Sequence, residues 1–173
     1  MGLQLIFVVE TNEKCKSDWI YIKDTIEHFY QYDQAQTKFT PVYMDGKGKY
    51  KSKEREINTV ISQFAHSNKD NQSKVIYFFD CDKYDTKPED AQFLIDAKQY
   101  CDTKGYDFVW FCKDIEQVYL GNSVEKKQKQ AAATTFKAKK GIKNINKNML
   151  LANNYVVKTS NIMKVLDKYL NRK

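Results

Sequence analysis

Residues 74–85, Lys-Val-Ile-Tyr-Phe-Phe-Asp-Cys-Asp-Lys-Tyr-Asp, narrow the choice of fold more than any other stretch. Val75 to Phe79 form an unbroken apolar and aromatic run, and the acids Asp80, Asp82 and Asp85 follow it. A short run of this kind reads as a strand buried on both faces, the environment of a parallel sheet. A carboxylate at the carboxyl end of such a strand stands where open α/β sheets bind their ligands. Asp80 and Asp82, two positions apart, can turn toward one hard cation such as Mg²⁺, with Mn²⁺ as its substitute. The plainer alternative is that the acids end the strand and solvate a turn.

The pattern recurs along the chain. Leu3–Val9 ends at Glu10, Phe39–Met44 ends at Asp45, and Tyr106–Cys112 ends at Asp114 and Glu116. Between these runs, Ser17 predicts the cap of a helix with Trp19, Ile22, Ile26 and Phe29 on one face. Ile57, Val60, Ile61 and Phe64 mark a second helix. Pro88 opens a third, with Ala91, Leu94 and Ile95 inward and Gly105 as its stop. The connections are too long for hairpins, so the order β-α-β-α-β-α-β predicts parallel strands joined by crossovers. The expected fold class is α/β: a three-layer sandwich with a mostly parallel four- to five-stranded sheet, Rossmann-like in plan, in one domain over 1–173. Tyr155–Val157 is expected to add a short strand. Thr159 or Ser160 is expected to cap a last helix that buries Ile162, Met163, Leu166, Tyr169 and Leu170.

Charge divides the chain. Residues 1–120 hold 16 Lys and Arg against 20 Asp and Glu, a net of −4, and residues 121–173 hold 13 against 2, a net of +11, which together give the overall +7. An acidic front joined to a basic last third suits a protein that handles a polyanion beside a cation-binding pocket. Surface lysine used only for solubility is the alternative. The candidate phosphate contacts are Lys47, Lys49, Lys51 and Lys53 in the loop 46–53, and Lys126, Lys127, Lys137, Lys139, Lys140 and Lys143 in the polar segment 122–150. A packed helix after it makes that basic helical segment an insertion in the fold rather than a tail. Tyr50, Tyr119 and Phe136 are candidates for stacking on bases, with core packing the commoner role of such residues.

Composition excludes several classes. No apolar run approaches membrane-spanning length, so no membrane partner is expected. Cys15, Cys81, Cys101 and Cys112 form no Cys-x-x-Cys pair, and with only His28 and His66 available a zinc site is not expected. Reduced thiols, and the lack of a basic, cleavable leader around Leu3–Val9, point to a cytoplasmic protein.

If the strands are parallel, Glu10, Asp45, Asp80 with Asp82, and Asp114 with Glu116 all fall along one edge of the sheet. Like charges gathered there repel unless a cation offsets them. The alternative is that Asp and Glu gather at helix N-termini for their own sake. A glutamate closing the first strand and an Asp-x-Asp closing a later one resemble the TOPRIM domain of topoisomerases, primases and OLD-type nucleases. Asp45-Gly-Lys-Gly-Lys after the second strand, and Phe-Cys-Lys-Asp-Ile-Glu116 before a hydrophobic helix, are similar to the compact RloB-like branch. The resemblance covers residues 3–121 and, less closely, the last helix.

The resemblance implies a catalytic set of Glu10, Asp80, Asp82 and Glu116. Glu10 would act as general acid/base or metal ligand, Glu10, Asp80 and Asp82 would hold Mg²⁺, and Glu116 would support them. It further implies phosphodiester hydrolysis on nucleic acid, DNA or RNA, in a phage-defence or mobile-element setting that would bring a protein partner. Thr11 stands where that family has Gly, and Ile115 where it has an aromatic residue. A second expectation therefore stays open: a non-catalytic nucleic-acid-binding or complex-forming subunit on the same scaffold. A phosphoacceptor signalling domain also gathers acids at such an edge, but here a lone glutamate ends the first strand and no clean fifth strand delivers a lysine.

Overall fold

The computed structural model describes the whole chain, Met1–Lys173. In order, the elements are β1 (Leu3–Val9), α1 (Ser17–Phe29), β2 (Tyr30–Gln31), β3 (Thr37–Tyr43), α2 (Glu54–Ser67), β4 (Gln72–Asp80), α3 (Pro88–Lys104), β5 (Asp107–Cys112), α4 (Ile115–Leu120), α5 (Lys129–Ala138), β6 (Thr159–Ser160), α6 (Ile162–Leu166) and β7 (Asn171–Arg172). Five strands form one sheet in the order β3-β1-β4-β5-β6. The first four run parallel, and β6 lies antiparallel to β5. β2 and β7 pair separately and antiparallel.

The apolar runs alternate sides as strand geometry requires. Leu5, Phe7, Val9, Ile76, Phe78, Val109 and Phe111 face a core covered by α1, α4, α5 and α6. Ile6, Val8, Val75, Tyr77, Phe79, Phe108 and Trp110 face a second core under α2 and α3. This is the expected α/β arrangement, a mostly parallel sheet between two helical layers. α1 connects β1 to β3 in one direction across the sheet, and α2 and α3 connect back the other way. They lie on opposite faces, as crossovers of a single hand demand. The chain thus reverses direction between β1 and β4, a topological switch point.

Several local expectations are corrected. Lys16, not Ser17, is the N-cap of α1, and its N–H donates to Gln130 Oε1 at 2.7 Å. Ser17 is buried within the helix, its Oγ 3.5 Å from Cys15 Sγ. Residues Lys47–Lys53 wind into a 3-10 helix rather than an open loop. Pro88 and Gly105 bound α3 as expected, but Ile95 is 59% exposed and the inward face is Leu94, Ala97 and Cys101. The last sheet strand is Thr159–Ser160 instead of Tyr155–Val157. The outer edge of β5 beyond it is closed by one side chain: the Asn161 amide accepts from Trp110 N–H and donates to the Phe108 carbonyl, each at 3.0 Å. Asn161 is also the N-cap of α6, while Ser160 Oγ accepts from Ile162 N–H at 3.1 Å. No helix is long and apolar enough to cross a membrane.

Candidate functional site

The carboxyl ends of β1 and β4, side by side at the switch point, place Glu10 and Asp80 together. Glu10 Oε1 accepts the backbone N–H of Asp80 at 2.8 Å, and the Glu10 carbonyl accepts from Gly46 N–H at 2.9 Å. Asp80, almost fully buried, turns toward α4, where its Oδ1 accepts from Ile115 N–H at 2.9 Å. Two further carboxylates join them. Asp18, in the first turn of α1, accepts from Thr11 N–H at 3.3 Å. Glu116, in the first turn of α4, is wholly buried with both oxygens lacking a hydrogen-bond partner. Its charge is met by Lys129 at the start of α5, whose Nζ lies 3.3 Å from Oε2.

A cavity of about 680 Å³ opens over this group, lined by Glu10, Asp18, Asp45 and Asp80 together with Lys126, Lys127 and Lys129. Burial dominates the electrostatics. It pushes Glu10 up to about 8, with Asp18 and Asp82 adding repulsion and the Asp80 N–H and Lys47 opposing. Asp80 is raised well above the usual carboxylate range by burial and then by Glu10 and Asp18. Burial also raises Asp18, against the pull of Lys129 and Thr11. Glu116 is pushed up to about 7 by burial, with Lys129 opposing. At Lys129 burial disfavours the charge, but Glu116, Asp80 and Asp18 together outweigh it and hold the ammonium charged.

Compared with protein-family models, curated proteins and solved structures, the chain matches none. What the site can hold is therefore judged from its own donors. Asp18, Asp80 and Glu116 share the charge of Lys129, Glu10 is influenced by Lys47, and all four carboxyls keep protons above their ordinary range, which is the condition a divalent cation relieves by displacing those protons. No three of the acidic, His or Cys side chains form a ready metal cage. Mg²⁺ needs none: it keeps several waters and takes one or two carboxylates together with substrate phosphates. The donor set fits such an ion.

The other expected residues are distributed less simply. Asp82 does not face Glu10's cavity. Its backbone is left-handed (φ 50°), so the chain is no longer extended and positions two apart cease to share a direction. Its carboxylate is ion-paired with Lys47, and it lines a neighbouring hollow with Lys83, Lys87, Asp90 and Lys113. Lys49 pairs with Asp45 and Lys53 with Glu56, each at 3.2 Å, while Lys51 Nζ sits 5.6 Å from the Tyr50 ring centre. Lys137 lies 3.8 Å from Glu27, and Lys127 3.9 Å from Glu125. Lys126, Lys139, Lys140 and Lys143 are exposed. Tyr50, Tyr119 and Phe136 are core residues, not stacking platforms. Asp18 and Lys129 were not foreseen. The only signal for either was an acid in a first helical turn and one lysine among many.

Proposed function

We propose that the protein hydrolyses phosphodiester bonds in nucleic acid with a divalent cation, Mg²⁺ or Mn²⁺, at the Glu10–Asp80 end of the sheet. The observation that carries this reading is the convergence of Glu10, Asp18, Asp80 and Glu116 under a rim of lysines. Asp80 and Asp18 would hold the cation, which when bound would polarise the phosphoryl group and stabilise charge on the leaving oxygen. Glu10, whose carboxyl burial pushes up to about 8, is matched to general acid–base work. It would take a proton from the attacking water as the new P–O bond forms. The leaving oxygen, on the opposite side of phosphorus, would take its proton from solvent as the old bond breaks. Lys126 and Lys127 would hold the backbone phosphates without reading sequence. Lys129 would keep Glu116 ionised and in place.

The test is incubation with single- and double-stranded DNA and RNA in Mg²⁺, in Mn²⁺ and in EDTA. Cutting should require the metal and fall by about 10²–10⁴-fold in Glu10→Gln and Asp80→Asn. A second reading, binding without cleavage, is favoured by the ion pair that neutralises Asp82. It predicts retention of nucleic acid with no cutting in any metal, and retention that is unchanged in Asp80→Asn.

A further inference from the structure

Lys47 is held over Asp82 by more than one contact. Its Nζ pairs with the Asp82 carboxylate, lies 3.7 Å from Asp90 Oδ1, and sits 4.7 Å from the centre of the Phe93 ring. The approach is built by the chain just before it. Asp45 (φ 54°) and Gly46 (φ 113°) turn the backbone sharply after β3, and the 3-10 helix from Lys47 then begins directly over the sheet edge. At φ 113° a side chain with a Cβ would be strained, so Gly46 is what permits the turn. The ammonium thus covers the one acid of the Asp-x-Asp pair that the carboxylate cluster lacks. It remains within electrostatic reach of Glu10, whose carboxyl both Asp82 and Lys47 influence.

We propose that Lys47 is a latch: it neutralises Asp82 while the site is free of polyanion, and a backbone phosphate draws it away, leaving the Asp82 charge uncompensated beside the cavity, where it strengthens the hold of Glu10, Asp18 and Asp80 on a divalent cation. This deepens the reading of the site as metal-dependent and rests on it. Phosphate competes for Lys47 on the same terms as Asp82, as an oxyanion meeting an ammonium. Lys47 is a good candidate for exchange because the side chain of its partner Asp82 is 41% exposed, in contrast to Lys129, which meets a wholly buried glutamate. Release would couple two ligands of opposite charge. By linkage, nucleic acid would tighten divalent binding and divalent cation would tighten nucleic-acid binding by the same factor. A site that grips its cation tightly only under its substrate would hold few ions idle.

Mn²⁺ binding to the full chain, read by electron paramagnetic resonance, tests this without activity. Titrations are made with and without a single-stranded phosphorothioate DNA oligonucleotide, in wild type, Lys47→Met and Asp90→Asn. Methionine keeps an unbranched side chain without the charge, and Asp90→Asn removes the second anion facing Lys47 while Asp82 and Lys47 both remain. Without oligonucleotide, Lys47→Met should bind Mn²⁺ about tenfold tighter than wild type, within the usual range of coupling between sites, and Asp90→Asn should fall between. The oligonucleotide should tighten Mn²⁺ binding in wild type and lose that effect in Lys47→Met. Equal Mn²⁺ affinity in wild type and Lys47→Met overturns the latch and leaves the metal site standing. Absence of Mn²⁺ binding in all three proteins overturns both.

Discussion

At the scale of single residues, the protons on Glu10, Asp80, Asp18 and Glu116 govern behaviour. Each of these carboxyls binds its proton more tightly in the folded chain than in the unfolded one. For Glu10 the interval runs from 4.5 to about 8, and for Glu116 from 4.5 to about 7. Across those intervals the folded state carries more protons, so unfolding free energy falls as pH rises and levels off above them. In EDTA the protein should melt at least about 5 °C lower at about pH 8.5 than at about pH 5. Glu10→Gln should flatten that slope, because its amide can still accept the Asp80 N–H and has no charge to develop. Saturating Mn²⁺ should restore stability at the high-pH end by binding only the folded site. Thermal melts by circular dichroism across the range check this, and identical slopes in wild type and Glu10→Gln would exclude Glu10 as a titrating member.

At the scale of elements, α5 carries the weight that the sequence hid. It docks on α1 and α4 through Phe136, whose ring meets Tyr21 at 5.2 Å and Tyr119 at 5.8 Å, and through the Lys129–Glu116 pair. The two contacts should fail differently. Lys129→Met leaves a buried carboxylate without its counter-charge, a loss of about 3–5 kcal/mol. Below the Glu116 value of about 7 the protonated acid needs no partner, so the loss should shrink there. Phe136→Ala removes packing and should cost about 3–5 kcal/mol at any pH. Denaturant melts of both variants on either side of neutrality separate them. The same contrast explains what could be read in advance. Val75–Phe79 and Leu3–Val9 announce buried strands because a continuous apolar run has few other homes, and Pro88 and Gly105 bound α3 through local backbone chemistry. Asp18 and Lys129 meet the site only because α1 and α5 pack where they do, a long-range outcome with no local signature. Asp82 was misdirected by a left-handed residue that spacing cannot reveal. Tyr155–Val157 has strand composition, yet Val156 and Val157 face outward and Thr159–Ser160 take the ladder.

At the scale of the molecule, the division of charge becomes a spatial one. The excess of lysine over residues 121–173 is delivered by the segment around α5, and its first members, Lys126, Lys127 and Lys129, line the cavity that holds the acids. Lys139, Lys140 and Lys143 follow at the other end of α5, exposed. Lys139 lies ten positions after Lys129, roughly 15 Å along the helix axis, or several nucleotides of a single strand. A mononucleotide in the cavity would therefore reach only the first group, and a longer strand running along α5 would reach both. Binding of an oligonucleotide should weaken linearly in log–log plots against salt. The magnitude of that slope should drop by about 0.7 for each lysine–phosphate contact removed. Lys126→Ala with Lys127→Ala should weaken short and long ligands alike. Lys139→Ala with Lys140→Ala and Lys143→Ala should leave a dinucleotide untouched and reduce the slope for a long strand by about 2. Lys49 and Lys53, already paired with Asp45 and Glu56, should contribute less than either set. Fluorescence anisotropy over a salt series measures all of these, and a slope for the long strand that ignores the second set would mean the polymer leaves the cavity by another route.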